Sequence, residues 1–250
     1  MVTLARPDKL NALGRAMVEE LTTVVERLVA SDGVRALVLV GEGRMFSAGA
    51  DVEEFRDSFR AGDVDPAGVE AEARLGSRLA DALQAAGLIT IASVHGAAIG
   101  GAAALVAACD LRVMAVGSRI VVPELIMGFP LAWGGMERLV RDLGPSVVRD
   151  LVLTCRPLEA DEALARGFAC RVLPAAEALD GARELAELVA TRPAHGTTVA
   201  LRRIAALSDR TGAPDVDDDA ASLAAASTDP DAMAATRAYL DSLTTDASSH

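Results

Sequence analysis

Leu10, Leu13, Met17, Leu21, Val24, Val25 and Leu28 recur at the spacing of one helix face and predict an amphipathic helix from about Asn11 to Ser31. The run Ala36 to Val40 (ALVLV) is apolar throughout and has the length of a buried strand. Val2 to Leu4 reads as the end of another strand. Gly41 to Gly49 reads as a loop, after which Asp51 opens a short helix. The stretch RDSFRAGDVDPAG, Arg56 to Gly68, is polar and marked by Gly and Pro, so it predicts a surface loop. A helix is predicted over Glu70 to Ala86 and a strand over Ile89 to Val94. After a break at Gly96 comes a helix of very small residues, Gly100 to Ala108. Short strands follow at Leu111 to Ala115 and Arg119 to Val122. From Gly134 the pattern is mostly helical, with a strand near Ala169 to Leu173. Arg192-Pro193 marks a boundary. Beyond it, helices near Gly196 to Leu207, Asp218 to Ala226 and Asp231 to Leu243 surround the loop DRTGAPDVDDD, and Thr244 to His250 forms a polar tail prone to fraying. Strands alternating with helices define an α/β protein, with the helical tail as a separate packing or assembly element.

Composition narrows the partners. The chain has 250 residues, 51% of them hydrophobic, which is enough for one large core. No apolar run reaches the ~18 residues of a membrane span without a charge or glycine, and the opening MVTLARP carries no signal-peptide pattern. A net charge of −12 argues against nucleic acid as a main partner. Lys9 is the single lysine, so an anionic ligand would have to be met by arginines and backbone N–H groups. Cys109, Cys155 and Cys170 lack metal-ligand spacing, and His95, His195 and His250 are too few for a His-rich metal site. A reducing, cytoplasmic setting is expected.

Three stretches carry candidate chemistry. FSAGAD, Phe46 to Asp51, follows the Ala36–Val40 strand, and its small residues suit either an ordinary turn or a place where the backbone itself is needed. The preceding GEGRMF puts Phe46 where a dinucleotide fingerprint has its third glycine, which argues against that site. MFSAG just misses a nucleophile elbow, so Ser47 is either a nucleophile or a small residue in a tight loop. His95 reads as structural, because nothing in the sequence pairs it with a nucleophile. The second stretch, HGAAIGGAAA, opens a helix after a strand, where free N–H groups and the helix dipole favour negative charge. Two N–H groups from two such turns can converge on one developing oxyanion. Third, Glu124 stands between Ile120-Val121-Val122 and Leu125-Ile126-Met127. A carboxylate among apolar residues needs a partner or a raised pKa, which makes it either a general acid/base candidate or a salt-bridged residue beside Arg112 or Arg119.

These elements, with RPDKLNAL, VHGAAIGGAAALVAACDLRV, PELIMGFPLAWGGMERL and LEADEALARGFACRVLP, resemble the enoyl-CoA hydratase/isomerase (crotonase) family over most of the chain. The resemblance implies a spiral of ββα units in residues 1–192 holding an acyl-CoA site. It implies a C-terminal helical region, 193–250, that builds a homotrimer or a hexamer made as a dimer of trimers. It makes the N–H groups of Ala50 and Gly101 an oxyanion hole and Glu124 the general acid/base. It places Ser47, Ala48, Gly49, Asp51, Gly100, Ala104 and Trp133 against the substrate. No cofactor or metal is implied, coenzyme A being part of the substrate.

Departures from the pattern bear on the reaction. The hydratases of the family carry a second glutamate at the position of Ala104, so a one-base 1,3-proton shift, enoyl-CoA isomerisation, is favoured here. Hydration with a substitute acid, from Glu137 or the Asp57–Asp65 stretch, and non-catalytic acyl-CoA binding stay open. Only five residues precede Arg6, which leaves a sheet edge without a neighbour if the family pattern holds. Trp133 replaces a residue that is more often small, either to shape the acyl pocket or as plain core. Arg6, Lys9 and Arg44 lie near the segments where phosphates of coenzyme A would need cations.

Overall fold

A computed structural model describes residues 1–85, 87–208 and 219–247, without the side chains of 55, 57, 58 and 243–247. In chain order the elements are β1 (Val2–Leu4), α1 (Arg15–Val29), β2 (Ala36–Gly41), α2 (Val52–Ala61), α3 (Pro66–Ala85), β3 (Ile89–Val94), β4 (Ala97–Ile99) and α4 (Gly101–Ala108). Then come β5 (Leu111–Ala115), β6 (Arg119–Val121), α5 (Gly135–Leu143), α6 (Pro145–Thr154), β7 (Leu158–Glu159), α7 (Ala160–Ala165) and β8 (Arg171–Leu173). The chain closes with α8 (Ala178–Ala190), α9 (Ala194–Ser208), α10 (Asp219–Ala226) and α11 (Pro230–Ala247).

The apolar runs become a parallel sheet in the order β1-β2-β3-β5-β8. β2 and β3 are buried on both faces, which is why β2 reads as a near-continuous apolar run, while β3 buries Thr90 and Ser93 among its apolar residues. Leu37 and Leu39 face the main core with α1 and α3, while Val38 turns the other way to meet Ala182 and Leu185 of α8. A smaller sheet, β4-β6-β7, pairs β4 parallel to β6 and β6 antiparallel to β7. It stands beside the main sheet at the point where the strand β3 ends and the helix α4 begins. Residues 102–108 of α4 are all buried, so small side chains let this helix run through the core.

Two expectations in the first third of the chain need correction. The first helix begins at Arg15, not Asn11, because Leu10 and Asn11 take left-handed φ values of 54° and 55°. Leu10 and Leu13 fit the helical spacing without being helical. The expected loop at Arg56 to Gly68 is instead most of α2 and the start of α3. Pro66 occupies the first turn of α3, Asp65 Oδ1 accepts the Ala67 N–H at 3.1 Å, and Gly62 (φ 74°) ends α2. Of the polar residues that suggested a loop, Asp65 is a cap and Arg60 lies on the exposed helix face. Phe59 is the inner face, edge-on to Phe129 with ring centroids 5.5 Å apart.

The Arg192-Pro193 boundary falls between α8 and α9. Past it, α10 packs on α3, and α11 packs on α2 and on the turn of 3-10 helix at Glu124–Ile126. The Thr236 hydroxyl donates to the Met127 carbonyl at 2.8 Å and fixes that second contact. The expected 209–219 loop lies outside the described residues except for Asp219. Helix α11 runs through Ala247 where a frayed tail was expected, and residues 248–250 lie outside the described residues. No described helix is long and apolar enough to cross a membrane.

Candidate active site

The FSAGAD loop is tied on both sides. Asn11, fully buried, donates from Nδ2 to the carbonyls of Glu42 (2.8 Å), Met45 (3.0 Å) and Phe46 (3.1 Å). The Ser47 hydroxyl donates to the Asn11 carbonyl at 2.8 Å and accepts the Gly49 N–H at 3.1 Å. On the far side, Phe46 N–H donates to His95 O, Ser47 N–H to Ala97 O and Ile99 N–H to Ser47 O. The FSAGAD and HGAAIGG stretches are therefore laced together as neighbouring strands. Gly49 has φ 83°, and a Cβ there would overlap the Ile99 carbonyl oxygen. Only glycine fits.

Peptide planarity fixes where the amides point. The Gly49 carbonyl accepts the Leu13 N–H at 2.7 Å. In a trans peptide plane the N–H points opposite to the C=O, so the Ala50 N–H is directed away from Leu13, and Ala50 is an exposed residue of a cavity wall. Likewise, the Gly100 carbonyl accepts the Ala104 N–H at 3.2 Å as the first bond of α4. The Gly101 N–H of the same plane therefore points out of the helix N-terminus. The Gly101 nitrogen lies 3.6 Å from where a Gly49 Cβ would be, so the two turns sit side by side.

Both amides belong to a cavity of about 230 Å³. Its wall includes Ala48, Gly49, Ala50, Gly100, Gly101, Glu124 and Trp133, together with Leu223 from α10 and Tyr239 from α11. Glu124 begins the 3-10 turn after β6 and Pro123. Its Oε1 lies 2.5 Å from where a Gly100 Cβ would be, and its buried Oε2 has no hydrogen-bond partner among the described residues. Burial pushes its pKa up to about 7, so the carboxyl is poised to take and return a proton near neutrality. No ion pair to Arg112 or Arg119 forms. Arg112 instead pairs with Asp142 at 3.0 Å and stacks on the Phe168 ring. Burial first, and the Glu124 charge second, raise the pKa of the Tyr239 phenol and keep it protonated.

Three residues expected at the substrate stand behind the wall. Ser47 is fully buried and spends its hydroxyl on the loop, which removes it as a nucleophile. Asp51 is a buried partner of Arg6 at 3.0 Å. Ala104 is fully buried, and its Cβ faces Gly135. Ala48, Gly49, Gly100 and Trp133 are on the wall. His95 is structural, its ring nitrogen 2.9 Å from the Gly43 carbonyl oxygen.

Of the substitute acids, Glu137 and Asp63 are exposed and off the wall, Asp65 caps α3, and the side chain of Asp57 lies outside the described residues. The second carboxylate on the wall is Glu72, which pairs with Arg15. Sequence reasoning missed it, together with Tyr239 and Leu223, since nothing local marks a residue that reaches the cavity from a distant helix. Lys9 is paired with Glu53 at 2.6 Å, while Arg44 is exposed without an ion pair among the described residues. Those residues contain no cluster of three or more His, Cys, Asp or Glu side chains able to hold a metal.

A spiral α/β fold with two backbone amides and one buried carboxyl around an apolar cavity defines a class of enzyme. The sequence matches the description of the enoyl-CoA hydratase/isomerase family over residues 1–243, and the chain belongs to that family. It is 33% identical over 205 residues to a Mycobacterium bovis protein named as a probable enoyl-CoA hydratase, covering 80% of this chain and 75% of that one. An enoyl-CoA hydratase/isomerase structure from Mycobacterium paratuberculosis shares the fold with a TM-score of 0.83 and 24% identity, covering 94% and 92% of the two chains. A monofunctional enoyl-CoA isomerase from M. smegmatis matches with a TM-score of 0.69 and 26% identity, covering 84% of this chain and 88% of that one.

Proposed function

We propose that this enzyme isomerises enoyl-CoA thioesters with a single base. The observation that supports the reading is Glu124, a carboxyl with a buried, unpartnered Oε2 and a pKa of about 7, on the same cavity wall as Ala50 and Gly101. The thioester oxygen of a 3-enoyl-CoA would accept from the Ala50 and Gly101 N–H groups. As Glu124 removes a proton from C2, negative charge moves onto that oxygen, where the two donors stabilise it. The C3–C4 double bond shifts to C2–C3, and Glu124 returns the proton to C4. The proton that leaves one carbon reaches the other, and no water or cofactor enters. Glu72 is engaged with Arg15, and Ala104 has no proton to offer, so among the described side chains a two-carboxylate hydration finds no free second member. The relatives named as hydratases favour a second reading, hydration of 2-enoyl-CoA by Glu124 alone.

An ultraviolet assay with 3-enoyl-CoA tests the proposal. Conjugated enoyl-thioester absorbance should rise with wild-type protein, and Glu124→Gln should slow that rise at least ~100-fold, the scale of general acid–base catalysis. An unchanged rate in the variant would sink the base assignment. We also propose assembly as a homotrimer or a dimer of trimers, on the support of Ile204 and Leu207 in α9, which stay 60% and 65% exposed.

A further inference from the structure

We propose that the Trp133 indole determines the reaction outcome, as an apolar wall that denies water a seat beside the reacting carbons. This rests on the acyl-CoA reading of the cavity. Trp133 has φ 64°, a left-handed conformation unfavourable for a bulky residue, so the surroundings must hold it there. They do. Buried Arg138 donates from Nη1 to the Trp133 carbonyl at 3.0 Å and the Gly134 carbonyl at 2.9 Å. Arg138 is itself held by Asp81 (2.6 Å) and Gln84 (2.7 Å) of α3. From the other side, Asp219 at the start of α10 accepts the Gly134 N–H at 2.5 Å.

The ring then lies in a notch between two glycines. Its pyrrole edge, with Nε1, lies where any side chain at Gly76 of α3 would be. Its benzo edge lies over Gly101, with Cζ3 2.9 Å from where a Cβ would be. The indole therefore turns its one polar atom toward α3 and its hydrocarbon edge toward the turn that carries the Gly101 N–H. Glu124 abuts the preceding residue, Gly100. Acyl carbons attached to a thioester held by Gly101 lie between a carboxyl and a hydrocarbon surface. Ala104, one helical turn on, faces Gly135 and is sealed from the cavity by the same segment. Adding water requires its oxygen to bond C3 while one of its protons reaches C2 by way of Glu124, which breaks the C2–C3 π bond. The indole occupies the space such a water needs. The 1,3-proton shift needs no water and proceeds against the wall.

The test compares wild-type protein and Trp133→Ala on short-chain 3-enoyl-CoA and 2-enoyl-CoA, reading isomerisation and hydration separately. The ratio of hydration to isomerisation should rise at least tenfold in the variant. An unchanged ratio in a folded variant that still isomerises overturns the inference, as does a wild type that hydrates as fast as the variant. Wild-type protein that fails to isomerise overturns the one-base reading instead. Trp133 is the sole tryptophan, so its emission gives a second readout that needs no variant. A saturated short-chain acyl-CoA should change it where coenzyme A alone does not. Acyl-CoA that binds by calorimetry without changing the emission overturns the placement of the indole.

Discussion

Glu124 illustrates what a single residue contributes. A carboxylate between two apolar runs is legible in sequence as a raised pKa or a hidden partner, and the structure selects the raised pKa. Its cause, burial with one oxygen unpartnered, sets two pH dependences. Proton abstraction needs the ionised form, so kcat/KM should climb with pH and level off above a midpoint near 7. A flat profile from pH 5.5 to 8.5 would contradict that assignment. Stability runs the other way. The folded-state pKa lies above the ordinary value of 4.5, so the native state binds the extra proton between about 4.5 and 7. Stability is therefore greatest below that window and is lost as pH rises through it, by on the order of 2–3 kcal/mol. Glu124→Gln abolishes this loss, so melting temperatures of variant and wild type should diverge in favour of the variant between pH 5 and 8. A constant gap would mean the carboxyl is better solvated than its surroundings imply.

Elements show why the amides were legible and part of their support was not. Small residues after a strand and at a helix start are local signals that marked the two turns, and the family resemblance is what singled out Ala50 and Gly101 within them. Asn11 is not such a signal. In sequence it opens an amphipathic helix, whereas in the fold it is a left-handed residue whose amide closes the 42–46 loop. The reason is tertiary: three carbonyls with no strand partner converge on one place, and a buried amide satisfies them. The same override turned the polar 56–68 stretch into α2 and the cap of α3, since the buried side of Phe59 outweighs its polar neighbours. Asn11→Ala would strand those carbonyls and release the Arg6 N–H, which now donates to Oδ1 at 3.0 Å. Chemical denaturation should show a loss of at least ~2 kcal/mol, with lower turnover because Leu13 no longer holds the Gly49 carbonyl firmly. A loss under ~0.5 kcal/mol would mean water replaces the side chain without cost.

For the whole molecule, the C-terminal helices have two faces with different duties. Sequence marks them as a separate element after Arg192-Pro193, but helical periodicity has no means of showing that α10 and α11 fold back to supply Leu223 and Tyr239 to the cavity of their own chain. Their inner face completes the site. Helix α9 differs, because none of its residues is buried within the chain, and Ile204 and Leu207 stand in solvent while Leu201 leans on the cluster around Val38 and Leu185. Lone exposed leucines are ordinary, but two large apolar residues three apart on a helix with no fully buried residue make a stripe that a second copy can bury. Replacing Ile204 and Leu207 together by Glu would place charges in that contact while leaving the cavity wall intact. Light scattering should then show trimers or hexamers for wild-type protein and smaller species for the variant. A monomeric wild type at micromolar concentration would refute the assembly, and an unchanged variant would move the contact to another face.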